Sequence, residues 1–278
     1  MECVTCGATF RGLRLCHSNP THDTSHNRPS SHLHKPSSLP STSHSFLKKL
    51  ENVPLRNPLT RRPPHRRPSY VEHGNTKVIC SVNGPIEPRA ASARNSERAT
   101  VTVDVCFAAF SGTDRKKRGK SDKRVLEMQS ALSRTFATTL LTTLHPRSEV
   151  HISLHILSQD GSILATCVNA ATLALVDAGV PMSDYVTACT VASYTNPDES
   201  GEPLLDMSSA EEMDLPGITL ATVGRSDKIS LLQLETKVRL ERLEGMLAVG
   251  IDGCGKIRQL LDGVIREHGN KMARMGAL

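Results

Sequence analysis

Two groups of side chains in this 278-residue chain are of types that do chemistry. The first is cationic. Arg89, Arg94 and Arg98 are followed by the run Arg115–Arg118 and by Lys120, Lys123 and Arg124. Residues 89–124 carry 10 basic and 4 acidic side chains, whereas residues 125–278 carry 12 basic and 19 acidic ones. A basic strip on an otherwise acidic domain attracts a polyanion, RNA before others. The competing reading is a solvated Lys- and Arg-rich loop, with Arg98 paired to Glu97 or to a neighbouring subunit. The second group is sulfur. Cysteines stand at 3, 6, 16, 80, 106, 167, 189 and 254, several inside apolar runs such as Val103–Phe110 and Val186–Val191. That placement reads as buried free thiols in a reducing compartment and not as a disulfide framework. Cys3-x-x-Cys6 with Cys16 and His17 supplies four possible zinc ligands, but no second paired spacing follows, so no metal is expected. No motif for a cofactor stands out either. Asp206 and Glu211-Glu212 read, on their own, as a surface loop or a helix cap.

These residues sit in two unlike segments. Residues 1–69 hold 9 of the 16 prolines, 7 of the 12 histidines and a net charge of +8. Such a segment buries too little apolar surface to offset its ordering entropy and reads as a tail. Its Arg- and Ser-rich, acid-poor composition also fits a transit peptide, although Glu2 and the prolines and histidines oppose an amphipathic helix. No apolar run approaches the length of a membrane span, and no membrane association is expected. Residues 70–278, with a net charge of −2, read as a folded domain. Its aromatic content is low, so the core is aliphatic.

Within that domain, Lys77–Val82 is a short apolar strand closed by the turn-forming Asn83-Gly84-Pro85. Val101–Phe107 alternates with period two, as does Val150–Ile156, which ends at an Asp160-Gly161 turn. Between them, a helix capped by Ser121 shows the stripe Val125, Met128, Leu132, Phe136, Leu140, Leu144. Cys167–Ala178 is a small-residue helix stopped by Gly179 and Pro181. Val186–Tyr194 is a strand and Asn196–Pro203 a polar loop. Ile218–Val223 and Ile229–Glu235 make a hairpin around Gly224–Asp227. A long helix ends the chain, its apolar side drawn through Leu240, Leu243, Leu247, Ile251, Cys254, Leu261 and Val264. Strands, helices and hairpins mixed in this way predict an α+β fold.

The blocks Tyr70-Val71-Glu72-His73-Gly74-Asn75-Thr76-Lys77-Val78, Gly84–Arg89, His145-Pro146-Arg147, Gln159-Asp160-Gly161, Ala170–Met182 and Leu204-Leu205-Asp206 follow in a specific order. In that order they resemble the RNase PH family, and within it the fungal-like, ribosomal-RNA-processing type of ring subunit of the eukaryotic RNA exosome. The similarity spans about residues 69–272. It implies an RNase PH-like fold of two ββαβ-type halves, a six-membered ring with other RNase PH-like subunits, cap subunits and a hydrolytic nuclease as partners, RNA as ligand, and residence in nucleus, nucleolus and cytoplasm. Active members cleave RNA from its 3′ end with inorganic phosphate as nucleophile, which requires an anion cradle and acids for the leaving oxygen.

The resemblance also shows departures. Active relatives read Asp-Gly-Gly-Thr-Arg after the strand, and here the matching residues are Asp160, Gly161, Ser162, Ile163 and Leu164. Leu164 cannot make the charge-assisted contact of an arginine. Asp206 matches the first acid of the family's pair and Glu212 the second, normally an aspartate. Asp206, Glu212 and Leu164 are therefore expected to be relics and the chain catalytically inert, the alternative being an active phosphorolytic exoribonuclease. Arg94 falls on a basic position that faces the RNA channel in this type of subunit, with Arg89 and Arg98 nearby; a neighbouring arginine of relatives is Asn95 here. An RNA-binding or zinc-binding adaptor is the third class. The family's opening Arg-rich block and first strand have no counterpart in residues 1–69, so either the strand is replaced or the translated start is not the natural one. A sheet lacking it is expected to leave an open backbone edge at Lys77–Val82.

Overall fold

In the computed structural model the described residues are 68–88, 96–112, 115, 118–119, 121–195 and 201–274. The tail, the Cys3/Cys6/Cys16/His17 set and the question of a family strand before Tyr70 lie outside them. Strand β1 (Ser69–His73) begins one residue before the expected domain boundary and pairs antiparallel with β2 (Thr76–Ile86). Gly74 in the turn between them has φ +59°, a left-handed conformation that glycine adopts without a Cβ penalty.

β2 runs through Asn83-Gly84-Pro85, where a stop was expected. The glycine there serves close approach: a Cβ on Gly84 would lie 2.9 Å from the Cα of Val150 on the neighbouring strand. The other expected edge is corrected too. β1 covers one side of β2 as far as Cys80 and β4 (Glu149–Ser158) the other, so Lys77–Cys80 is internal and only Ser81–Val82 run past β1. The first sheet has the order β1-β2-β4-β3, with β3 (Thr100–Phe107) parallel to β4 and joined to it through α1 (Lys123–Thr139). Asp122, not Ser121, caps α1, its carboxylate accepting from the Arg124 N–H. The helix stops before Leu144, which is exposed in a short 3-10 turn.

The second sheet is antiparallel, in the order β6-β5-β7-β8. β5 is Val186–Thr195, β7 Gly217–Val223 and β8 Ile229–Leu234. β6 (Gly201–Leu205) takes in residues expected to be loop, and the short α3 (Ser209–Asp214) follows it. The α+β architecture is as expected, with two four-stranded sheets.

Helix α2 (Ile163–Asp177) packs against β1 and β2 of the first sheet and β5 and β7 of the second. It starts four residues before the expected Cys167, so Ile163 and Leu164 are in its first turn. Twelve consecutive residues, Leu164–Leu175, are buried. Ala165, Ala170, Ala171 and Ala174 let both sheets approach the helix closely. The polar groups that go inside are satisfied. Asn169 donates to Ala188 O (3.0 Å) and accepts from Ala188 N–H (2.9 Å), and the Thr172 hydroxyl lies 2.7 Å from Val186 O. The Ser69 hydroxyl reaches Ala170 O at 2.8 Å from the opposite side. Burial of each large aliphatic side chain contributes about 1.5–3 kcal/mol, and unmet polar groups would cancel much of it.

The last helix, α4 (Leu240–Arg274), is where expected, and Leu243, Leu247, Ile251, Cys254 and Leu261 of its expected face pack on the core, but the most buried line runs beside them. Met246, Val249, Gly250, Gly253, Cys254, Ile257 and Leu261 face the protein, and Leu240 is 70% exposed. A pattern drawn through leucines overlooks glycines, and Gly250 marks the closest contact: a Cβ there would lie 2.0 Å from Leu220 Cδ2.

Candidate functional site

The turn between β4 and α2 joins the two halves. The Asp160 N–H donates to Thr76 Oγ1 (3.0 Å), and the Thr76 hydroxyl donates to Gly161 O (2.8 Å). The Asp160 carboxylate accepts from Asn75 Nδ2 (2.8 Å) and lies 3.4 Å from the Ser209 N–H. Gly161 has φ +83°, and a Cβ there would sit 2.3 Å from Met207 O, so only glycine fits. Ser162, at the N-terminus of α2, also takes a left-handed conformation, φ +51°. Its side chain is held on several sides. It shares a hydrogen bond with the Thr190 hydroxyl and lies 3.0 Å from Asp206 Oδ1 and 3.3 Å from Met207 O. Ser162 has one proton to give, and the shorter carboxylate distance assigns it to Asp206, with Thr190 donating to Ser162.

Asp206 is positioned by its own strained backbone (φ +65°) and by its N–H donating to Thr190 O at 3.0 Å. The same Oδ1 that faces Ser162 lies 3.1 Å from Nε2 of His73, whose side chain is 4% exposed. The carboxylate is 11% exposed and engaged by two buried groups. Glu211, in the first turn of α3, completes a capping box with Ser208, accepting from its N–H at 3.0 Å.

Glu212 points elsewhere. With Leu164, Ile163, Arg118, Arg124, Glu127 and Glu235 it lines a cleft of 420 Å³. Leu164, 8% exposed, supplies part of its apolar surface where an arginine would supply charge. Arg118 lies against the Phe107 ring, 4.7 Å from its centroid. Burial pushes the Glu212 carboxyl up from its ordinary value, the like charge of Glu235 adds to this, and Arg124 opposes it. The cleft thus carries two guanidinium groups against three carboxylates, a weak place for phosphate. Of the three relic positions, Leu164 and Glu212 share this cleft, and Asp206 does not line it.

Arg98 is exposed in the segment before β3 and makes no ion pair among the described residues; its N–H lies 3.3 Å from Ser96 Oγ. That segment is pinned by Arg147 N–H donating to Ser96 O and Ala99 N–H donating to Thr142 O. Arg89 and Arg94 lie outside the described residues. Among the described residues no group of three or more His, Cys, Asp or Glu side chains is arranged to hold a metal ion, and no helix is long and apolar enough to cross a membrane. The His73, Ser162 and Thr190 partners of Asp206 were not singled out from the sequence. Ser162 is visible as a departure from the family turn, but its consequence for Asp206 is not.

A family model described as the 3′ exoribonuclease family, domain 1 (RNase PH) matches residues 68–181. The exosome complex component SKI6 of Saccharomyces cerevisiae is 42% identical over 204 residues, covering 73% of this chain and 81% of the relative. The exosome complex component RRP41 of Homo sapiens is 40% identical over 202 residues, 72% of this chain and 80% of that one. Among solved structures, rice (Oryza sativa) Rrp46 superposes with a TM-score of 0.61 at 25% identity, covering 75% of this chain and 91% of that chain. By identity and coverage together, the chain belongs to the RNase PH, or 3′ exoribonuclease, family.

Proposed function

We propose that this chain is a ring subunit of an RNA exosome, serving 3′-to-5′ RNA processing and turnover through RNA contact and assembly and not through phosphorolysis. The ring role rests on relatives named as exosome complex components at 40–42% identity. Catalytic inertness rests on one observation above the others: the Asp206 carboxylate is engaged by Ser162 and His73, away from the cleft that holds Leu164 and Glu212. A carboxylate held there does not face a leaving oxygen in that cleft, and Leu164 leaves the attacking phosphate without its cradle. The RNA contact is assigned to Arg94, with Arg89 and Arg98 supporting it, through sequence-independent phosphate contacts. Other RNase PH-like subunits complete the six-membered ring, with cap subunits and a hydrolytic nuclease attached, in nucleus, nucleolus and cytoplasm.

A specific observation favours one second reading. Burial raises the Glu212 carboxyl above its ordinary value in a cleft that also presents Arg118 and Arg124, a shift in the direction that general-acid chemistry uses. An active phosphorolytic enzyme would use Glu212 as acid and the two arginines as cradle. Co-expression with other RNase PH-like subunits tests the main reading. A stoichiometric complex that protects a defined length of RNA supports it. A chain that purifies alone and binds RNA unaided points to an adaptor instead.

A further inference from the structure

Cys189 on β5 and Cys254 on α4 are both buried, at 2% and 0% exposure, and their Sγ atoms are 3.5 Å apart. Cys189 Sγ also lies 3.2 Å from Gly250 O, so both cysteines sit at the closest approach of α4 to the second sheet. The other three described cysteines are all free, two buried (Cys80 and Cys167) and one exposed (Cys106). None of them has a cysteine sulfur as hydrogen-bond partner. Both sulfurs lie inside the chain, and the proposed function does not call on them.

We infer that Cys189 and Cys254 form a site of reversible oxidative modification, at which hydrogen peroxide or an organic hydroperoxide closes a disulfide that fastens α4 to the second sheet. The two sulfurs are already in van der Waals contact, so closure needs a shortening of about 1.5 Å to reach the disulfide bond length. Cys254, between Gly253 and Gly255 on the helix that must open, is the sulfur that peroxide meets first and is taken as the attacking one; its hydrogen bond with Cys189 favours the thiolate. Its thiolate attacks a peroxide oxygen, the O–O bond breaks, and the departing hydroxide takes up a proton to leave as water. The resulting sulfenic acid is attacked by Cys189 sulfur; the S–O bond breaks, and the Cys189 proton leaves with that hydroxide as a second water. Two electrons pass from the sulfur pair to the peroxide.

Entry is provided by the helix itself. Cys254 stands between Gly253 and Gly255, and α4 also holds Gly245, Gly250, Gly263 and Gly269. Each glycine weakens a helix by about 1 kcal/mol relative to alanine. Local opening of α4 is therefore cheaper than opening of the alanine-rich α2 that shields Cys167. The pair is independent of the RNA-facing residues, so the site stands whether or not the chain is catalytically inert.

The test is peptide mapping of the full chain under non-reducing conditions, after exposure to excess hydrogen peroxide and alkylation of remaining thiols in denaturant. The expected product is a Cys189–Cys254 linked peptide in most molecules, reversed by dithiothreitol and accompanied by a rise in Tm of more than about 5 °C. Cys254→Ala, checked for folding by circular dichroism, should lose both the linked peptide and the Tm rise. The inference is overturned if Cys189 and Cys254 are both recovered alkylated while Cys106 is oxidised. It is equally overturned if a disulfide to Cys80, Cys106 or Cys167 forms in place of the expected one.

Discussion

Nε2 of His73 lies 3.1 Å from Oδ1 of Asp206, so one buried pair ties strand β1 of the first sheet to the residue after β6 of the second. Ser162, at the start of α2, reaches the same oxygen at 3.0 Å. Three elements that come from both halves of the chain therefore meet on one carboxylate. On the proposed reading, this carboxylate serves the junction between the halves and not the chemistry of a leaving oxygen.

Replacing that carboxylate should cost stability. Asp206→Ala leaves the Ser162 hydroxyl without this acceptor, removes the carboxylate 3.1 Å from the buried His73 ring nitrogen, and places a residue without local hydrogen bonding at φ +65°. The expected loss is about 2–4 kcal/mol, measured by urea denaturation. A change within about 0.5 kcal/mol, the range of an ordinary surface substitution, contradicts the structural role.

Glu212 should show itself through pH. Its carboxyl is raised in the fold above the ordinary value of 4.5, so the unfolded chain gives up that proton more readily. Stability contributed by the protonated form is present at low pH and is lost as pH rises through the folded value. Glu212→Gln removes this loss. The variant should melt higher than the wild type at pH 7, by about 1–2 °C given the exposed edge of the side chain. The gain should shrink towards zero below pH 4.5. A Tm difference that is independent of pH would show that Glu212 is unperturbed.

Two glycines of α4 should respond in opposite directions. Gly255 has nothing within 4 Å of an added Cβ, so Gly255→Ala should stabilise by about 0.5–1 kcal/mol through helix propensity. A Cβ on Gly250 would lie 2.0 Å from Leu220 Cδ2 and 3.1 Å from Val191 Cγ2, and Gly250→Ala should destabilise by about 1–3 kcal/mol. Thermal melts of the two variants give both signs. Equal shifts would mean that α4 does not pack through Gly250.

Much of this architecture was readable from local pattern. The alternation in Val101–Phe107 and Val150–Ile156, the Gly224–Asp227 hairpin and the small-residue α2 carry their own signals within a few residues. Errors fell where a residue serves a partner far along the chain. Gly84 reads as a turn residue, yet it is in a strand because Val150 presses against it. The buried face of α4 passes through Gly250 and Gly253, which no hydrophobic pattern counts. The site shows the same limit. Leu164 and Glu212 are legible as departures from the family turn and acid pair. The His73–Asp206–Ser162 junction joins residues 133 and 44 positions apart and appears only once the chain is folded.

RNA contact should concentrate on the strip before β3. Arg94→Glu in the assembled ring should weaken RNA binding by about 1–3 kcal/mol and reduce its salt dependence, with assembly unchanged. Arg98→Glu should have the smaller effect of the two. Electrophoretic titration at several salt concentrations reads both. Unchanged affinity, salt slope and protected RNA length in the Arg94 variant would remove the assignment.

The most direct test of the central claim is release of nucleoside diphosphate from a 3′-labelled RNA in phosphate buffer, by the purified chain and by its ring. An engaged Asp206, with Leu164 in the place of an arginine, predicts no release above background and no change on Asp206→Asn or Glu212→Gln. Phosphate-dependent nucleoside diphosphate that disappears in either variant would contradict it, and would make this chain a working phosphorolytic nuclease.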